Sequence, residues 1–269
     1  MLISIRHITR YSYAEPVGYT IQSLRLTPAS FNGQRVIDWL VRVPGAGAPL
    51  QLEDGFGNVV HLVTINARHD ELVIEAGGTV ETEDCNGVVA GLAKVTPPRV
   101  FLRETAQTKP DAAIRALANS VQGKNPLEKL HALLGAVRDQ VEYVPGATDT
   151  HTSAAEALAD GNGVCQDHAH IFIAAARTLG IPARYVTGYL VLDGQGTSDA
   201  HHAWAEAWAE GLGWVGFDVA NRVCPTDRYV RLATGLDASY AAPIVGSRQG
   251  GSAEKLDVSV EVQQQSAQQ

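Results

Sequence analysis

The sequence predicts an α+β protein in three parts: an N-terminal antiparallel β-sandwich over residues 1–95, an α+β core over 96–245, and a tail over 246–269 carrying one strand. Three observations lead there. Up to about residue 90, short β-branched runs are separated by Gly, Pro, Asn and Asp clusters. Beyond Pro110 the apolar period changes from that of a strand to that of a helix. A lone cysteine, Cys165, then heads the alanine-rich stretch "GNGVCQDHAHIFIAAARTLGIPARYVTGY", the best helix in the chain.

The expected strands begin with "LISIRHI", "YTIQSLRLTP", "VIDWLVRVP", "NVVHLVTI" and "DELVIEAGGTVET", with "EDGFGN" as the clearest turn among them. Residues 91–110, with Pro97, Pro98 and Pro110, read as the connection to the core. Asp111 caps a helix through Ser120. In the next helix Asn125 is the N-cap, Pro126 takes the first position and Glu128 completes a capping box. Leu130, Leu133, Leu134, Val137 and Val141 form its apolar stripe. Ser153 and Glu156 cap a shorter helix that Gly161 ends, and the helix from Cys165 is closed by Gly180 with Pro182 beyond it. Strands "ARYVTGYLVL", "HAWAEAWAE" and "WVGFDVA" follow. "LDGQGTSD" reads as a hairpin loop or a lid beside the site, "LDVSVEV" as the tail's strand, and the glutamine-rich end as loose.

Composition narrows the function. The 269 residues are 45% hydrophobic and 19% charged, an ordinary globular balance. A net charge of −8 opposes a phosphate-neutralising surface, so no nucleic-acid partner is expected. There is no apolar run of the length that spans a bilayer, and "MLISIRHITRYSY" meets Arg6 and His7 too early for a secretory signal. No membrane partner and a cytoplasmic location are therefore expected, with the oligomeric state left open. Cys85, Cys165 and Cys224 are odd in number and far apart, which suggests neither a disulfide framework nor a cysteine-rich zinc site. Cys85 and Cys224 read as small buried hydrophobes.

Cys165 differs from them in position. Free N–H groups and the helix dipole stabilise a thiolate at a helix N-terminus, and Gly161 and Gly163 leave room for a substrate. A merely structural cysteine is the alternative. A nucleophilic thiol needs a base, and the base needs an orienting group. His7 and His61 lie in the N-terminal strands, His131 and His151 in or between helices, and His168 and His170 in the cysteine's own helix. His202 instead begins a strand, and Asp218 sits in the next one among Trp, Val and Phe, where an unpaired carboxylate is expensive.

"GVCQDHAHIFIAAARTLGIPARYVTGYL", "HHAWAEAW" and "GWVGFDVAN" together resemble the three core motifs of the bacterial transglutaminase-like cysteine enzymes. "RLTP" at 25–28 lies in a region similar to the small β domain that often precedes this core. The resemblance implies a papain/transglutaminase-like α+β core with the nucleophile at a helix N-terminus. It also implies Cys165 as nucleophile, His202 as general base and acid, and Asp218 as orienter. One departure is that Asp218-Val219-Ala220-Asn221 stands where the family reads D-P-T-N, which would loosen the strand's exit. Weaker candidates complete the site: Tyr143 or Gln166 as second oxyanion donor beside the Cys165 N–H, and Trp204 with Trp208 as walls of an acyl groove or as core.

Cys165, His168, His170, His201 and His202 are zinc-ligand types, but their spacing is no signature, and "LDGQGTSD" lacks calcium-loop spacing. No metal and no cofactor are expected. The expected activity is acyl transfer from a peptide or protein amide through a thioester, hydrolysis being favoured over amine transfer. Transglutaminase cross-linking and a catalytically silent binding module are the alternatives. Finally, a three-residue turn at Ala209-Glu210-Gly211 would pair Trp208 with Leu212, Glu206 with Trp214 and Trp204 with Gly216. His202 then falls opposite Asp218, in direct contact.

Overall fold

The computed structural model describes residues 1–93, 96–192 and 201–265. Apart from Leu192, the "LDGQGTSD" stretch lies outside the described residues, as does the glutamine-rich end beyond Gln265. In chain order the strands before the helices are β1 (Leu2–Thr27), β2 (Gln34–Arg42), β3 (Leu50–Glu53), β4 (Val59–Ile65), β5 (His69–Thr82) and β6 (Val88–Val89). The core continues with α1 (Ala112–Ser120), α2 (Pro126–Gln140), β7 (Glu142–Tyr143), α3 (Ala154–Asp160), β8 (Asn162–Gly163) and α4 (Cys165–Thr178). Then come β9 (Ala183–Leu190), β10 (His201–Ala209), β11 (Gly213–Phe217), β12 (Tyr229–Gly235), β13 (Ile244–Gly250) and β14 (Glu254–Gln264).

The N-terminal β region is antiparallel as expected, but its strands form one hydrogen-bonded sheet. Its path is β2-β5-β1-β4-β3, with β13 and β14 added to β1. The first half of β1 lies between β5 and β14, and the second half between β4 and β13. Ile3, Ile5, His7 and Thr9 point inward from the first half, and Thr20, Gln22, Leu24 and Leu26 from the second. That change from odd to even positions is absorbed by a bulge between Val17 and Tyr19, which keeps one face of a 26-residue strand on the core.

The core sheet runs β12-β9-β10-β11-β6. One face meets the N-terminal sheet, where Tyr189, Val191, Val230 and Leu232 pack with Ile3, Ile5, Leu24 and Leu26. Side chains stitch the two together: Gln34 Nε2 donates to the Arg231 carbonyl at 2.9 Å and Asn58 Nδ2 to that of Thr234 at 2.8 Å. The other face carries Ala203, Ala205 and Ala207 against α4, whose Phe172 stacks on Phe217 with ring centres 5.1 Å apart. Helix α4 is buried from Asp167 to Arg177, enclosed between α1–α3 and the sheet, which explains the unbroken apolar run from Ile171 to Ala176. Its last carbonyls accept from the N–H groups of Leu179, Gly180 and Ile181, Gly180 taking the left-handed turn at φ 73, while buried Arg177 donates to the Ala183, Phe101 and Leu236 carbonyls.

The helix caps follow the sequence: Asp111, Asn125 and Ser153 each accept from the backbone N–H three residues on. The tail follows it in part: "LDVSVEV" is β14 as expected, but a second strand, β13, precedes it, and both pair with β1. Most side chains of β13 are exposed, and "IVGSRQG" carries no apolar alternation. The hairpin register also needs correcting. Trp208 pairs with Trp214, Glu206 with Gly216 and Ala205 with Phe217, a shift of two residues from the expected pairing. The loop is Glu210–Leu212, since Leu212 N–H bonds the Ala209 carbonyl at 3.1 Å and glycines at 211 and 213 take φ of 87 and 86. A shift of two preserves side-chain parity, so the expected face is kept.

Candidate active site

Cys165 is the first residue of α4, half-buried and unpaired with any other cysteine. The turn before it is fixed by Asp167, whose Oδ2 accepts from Val164 N–H at 2.8 Å and from Thr148 Oγ1 at 2.6 Å. Gly163 is needed there, because a Cβ would stand 2.7 Å from Asp167 Cβ. The other two cysteines are differently placed: Cys85 packs against Gly33, and burial raises the Cys224 thiol above its ordinary range.

His202 Nε2 and Asp218 Oδ2 are 2.7 Å apart. Continuing the strand register brings Trp204 level with Asp218, so the contact is diagonal across the hairpin. Asp218 is fully buried, and the same Oδ2 accepts from Asn221 Nδ2 and from the Tyr229 hydroxyl, each at 2.7 Å. Burial raises its pKa and these donors outweigh it, holding the carboxyl below its usual range. On His202, burial lowers the pKa, but hydrogen bonds with Asp218 and then with Cys165, and their negative charges, raise it to about 10. With Nε2 committed to Asp218, Nδ1 is the nitrogen left for Cys165. The exit of β11 is closed rather than loosened. Asp218 N–H bonds the Val223 carbonyl at 2.8 Å, the reverse bond is 3.1 Å, and Val219 is buried.

The weaker candidates separate. Two cavities flank the Cys165–His202 contact. One, about 530 Å³, has Gln166 and Tyr185 on its wall, and the other, about 340 Å³, has Tyr143 and His202. Trp204 lines neither; at 2% exposure it lies under the imidazole, stacked near His202 and edge-on to Tyr229. Trp208 packs edge-on to Trp214. Of the zinc-type residues, His168 faces the Val164 and Val141 carbonyls at 2.9 and 3.0 Å, and His170 Nε2 accepts from Ala238 N–H at 3.1 Å. Their rings are committed to backbone inside the core. Sequence reading missed Asn221 and Tyr229 as partners of Asp218. The available signal was that one histidine leaves a buried carboxylate short of donors.

Residues 115–219 match the transglutaminase-like superfamily core, and residues 3–81 match the bacterial transglutaminase-like N-terminal region. An uncharacterised protein of Mycobacterium leprae (strain TN) is 32% identical over 270 residues, spanning 95% of this chain and 96% of that protein. An uncharacterised protein of Mycobacterium bovis is 28% identical over 286 residues, 96% of this chain and 91% of that one. The crystal structure of a "Putative Cysteine Protease" from Cytophaga hutchinsonii shares the fold, with a TM-score of 0.76 at 23% identity over 100% of this chain and 92% of that chain. The two matched regions, the order of the motifs and the shared fold make this chain a member of the transglutaminase-like superfamily, with a bacterial transglutaminase-like region ahead of its core.

Proposed function

We propose that the protein is a thiol-dependent acyl-transfer enzyme acting on amide bonds of a peptide or protein, with water as the usual acceptor. The observation that carries this reading is the chain of contacts from Asp218, held by three donors on one oxygen, through His202 to Cys165 at the head of α4. Cys165 sulfur attacks the amide carbonyl carbon and the oxygen takes the electron pair. The C–N bond then breaks as His202 delivers its proton to the leaving nitrogen, leaving a thioester. Water adds to that thioester with His202 as base, and the C–S bond breaks to release the acid. Asp218 holds the imidazole in register and stabilises its charged form. The N–H of Cys165 is one oxyanion donor, with Gln166 or Tyr143 as the second.

Hydrolysis is favoured over amine transfer by the cavity beside His202. Among the described residues Arg138 lines it and no carboxylate does, an arrangement that does not favour an arriving lysine ammonium. The test is mass spectrometry of glutamine-containing and isopeptide-linked peptides, with and without millimolar primary amine. The expected result is hydrolysed product in both arms and none with Cys165→Ser. Amine incorporation outrunning hydrolysis would make the enzyme a transglutaminase. Absence of any product, with Cys165 alkylated by iodoacetamide no faster than Cys85 and Cys224, would make it a silent binding module.

A further inference from the structure

Apart from Gln166, the larger cavity is built by parts of the chain that the proposed chemistry does not use. Gln166, next to Cys165 in the chain, and Tyr185, on which the Cys165 charge acts, line it together with His7 and Thr9 of β1 and Leu256 and Val258 of β14. At about 530 Å³ it falls in the size range of small-molecule sites. Among the described residues none that lines it is Asp, Glu, Lys or Arg. Several polar groups at its wall are already partnered. His7 Nδ1 lies 3.0 Å from the Tyr189 hydroxyl, His7 Nε2 3.2 Å from Thr9 Oγ1, and His201 Nε2 3.1 Å from Thr187 Oγ1. Burial above all lowers both histidines to about 4, so these rings are uncharged at neutral pH. At the rim, Leu256 and Val258 are 54% and 48% exposed, apolar surface with no cover among the described residues.

Chemistry tells the two cavities apart. The leaving nitrogen has to reach His202 to be protonated, and His202 lines only the smaller cavity. The acyl part, which stays on sulfur, is left with the larger one. Resting on the reading of Cys165 as nucleophile, we propose that the cavity between β1, β14 and the head of α4 is the acyl pocket. It takes an uncharged side chain, aliphatic or carboxamide, and the N-terminal sheet with β14 is its outer wall. A carboxylate or ammonium entering it would lose water and gain no counter-charge.

The test uses peptidyl chloromethyl ketones on the full chain, so that no turnover is needed. The Cys165 sulfur displaces chloride, one C–S bond forming as one C–Cl bond breaks. Five probes differ only in the residue next to the ketone: glycyl, leucyl, glutaminyl, glutamyl and lysyl. Intact-mass kinetics should show leucyl and glutaminyl reacting at least about tenfold faster than glycyl, with glutamyl and lysyl no faster than glycyl. Val258→Trp, at the half-exposed rim, should bring the leucyl and glutaminyl rates down to the glycyl rate while leaving glycyl and iodoacetamide unchanged. Val258→Lys should raise glutamyl over lysyl, and it serves if the tryptophan variant fails to fold. Equal rates for all five probes, a preference for a charged one, or indifference to both variants overturns the pocket. If plain iodoacetamide does not select Cys165 over Cys85 and Cys224, the nucleophile reading itself has failed, and the pocket with it.

Discussion

Replacing Asp218 by asparagine keeps the shape of the side chain and removes its charge. The amide oxygen can still accept from His202, Asn221 and Tyr229, which now converge on Oδ2 at 2.7 Å. What is lost is the electrostatic reason for His202 to stay protonated. In the native site, burial lowers its pKa, but Asp218 and then Cys165 raise it to about 10. The imidazole is 11% exposed, so water screens these interactions little. The distance from the ordinary value of 6.5 to about 10 corresponds to roughly 5 kcal/mol, at about 1.36 kcal/mol per pH unit. With the carboxylate neutralised, burial gains weight and the midpoint should fall by several pH units. At pH 8 the native ring is then an imidazolium and the variant ring largely neutral. Ring-¹⁵N histidine NMR from pH 5 to 10 reads this directly, with a His202→Gln spectrum supplying the assignment. The kcat/KM on an amide substrate should fall about 10²–10⁴-fold, the usual range for losing a working acid–base group. A native His202 that titrates near its ordinary value, or a midpoint unmoved by Asp218→Asn, would refute the reasoning.

Two further outcomes follow from buried groups. His7, His170 and His201 are held neutral with pKa values near 4, 3 and 4, all chiefly by burial, so the unfolded chain binds more protons than the native one once pH drops below 6.5. His202 acts in the opposite sense, its contribution being fully present below 6.5 and lost as pH rises toward about 10. Between pH 7 and pH 5 the net effect of the four is a loss of about 5 kcal/mol, which urea unfolding at the two pH values should show; equal stability would contradict it. Gly163→Ala should push Asp167 off the turn that presents Cys165, lowering kcat/KM roughly a hundredfold with a much smaller change in melting temperature. An alanine variant with native kcat/KM would show that the turn tolerates the displacement.

What could be read from the sequence was local. The caps at Asp111, Asn125 and Ser153, and the stop at Gly180, are decided within a few residues, and each stands where the pattern put it. The face shared by His202 and Asp218 was readable too, because any odd loop preserves it. The exact register was not, since Gly211 and Gly213 allow a three-residue turn at two positions. Long-range partners were the least legible. Tyr229 reaches Asp218 from β12, a strand whose buried Arg231 pairs with Glu206 and breaks the apolar run. Strand β14 was legible in the alternation of "LDVSVEV", whereas β13, mostly exposed and without alternation, is identified only by its backbone bonds to β1.

Pairing β1 with β14 has a consequence for the order in which the protein is made. Ile5 pairs in register with Val262, so β1 waits for a strand translated well over two hundred residues later. Everything that presents Cys165 and His202 is translated in between. At ordinary elongation speeds the wait between β5 and β14 is on the order of ten seconds or more. During it, one edge of β1 is unpaired and the wall carrying Leu256 and Val258 does not yet exist. A nascent chain can therefore assemble the thiol–imidazole pair before it can enclose an acyl group. On the proposed reading, selectivity is acquired later than chemistry, and a chain halted short of β14 should keep the reactive thiol without the discrimination.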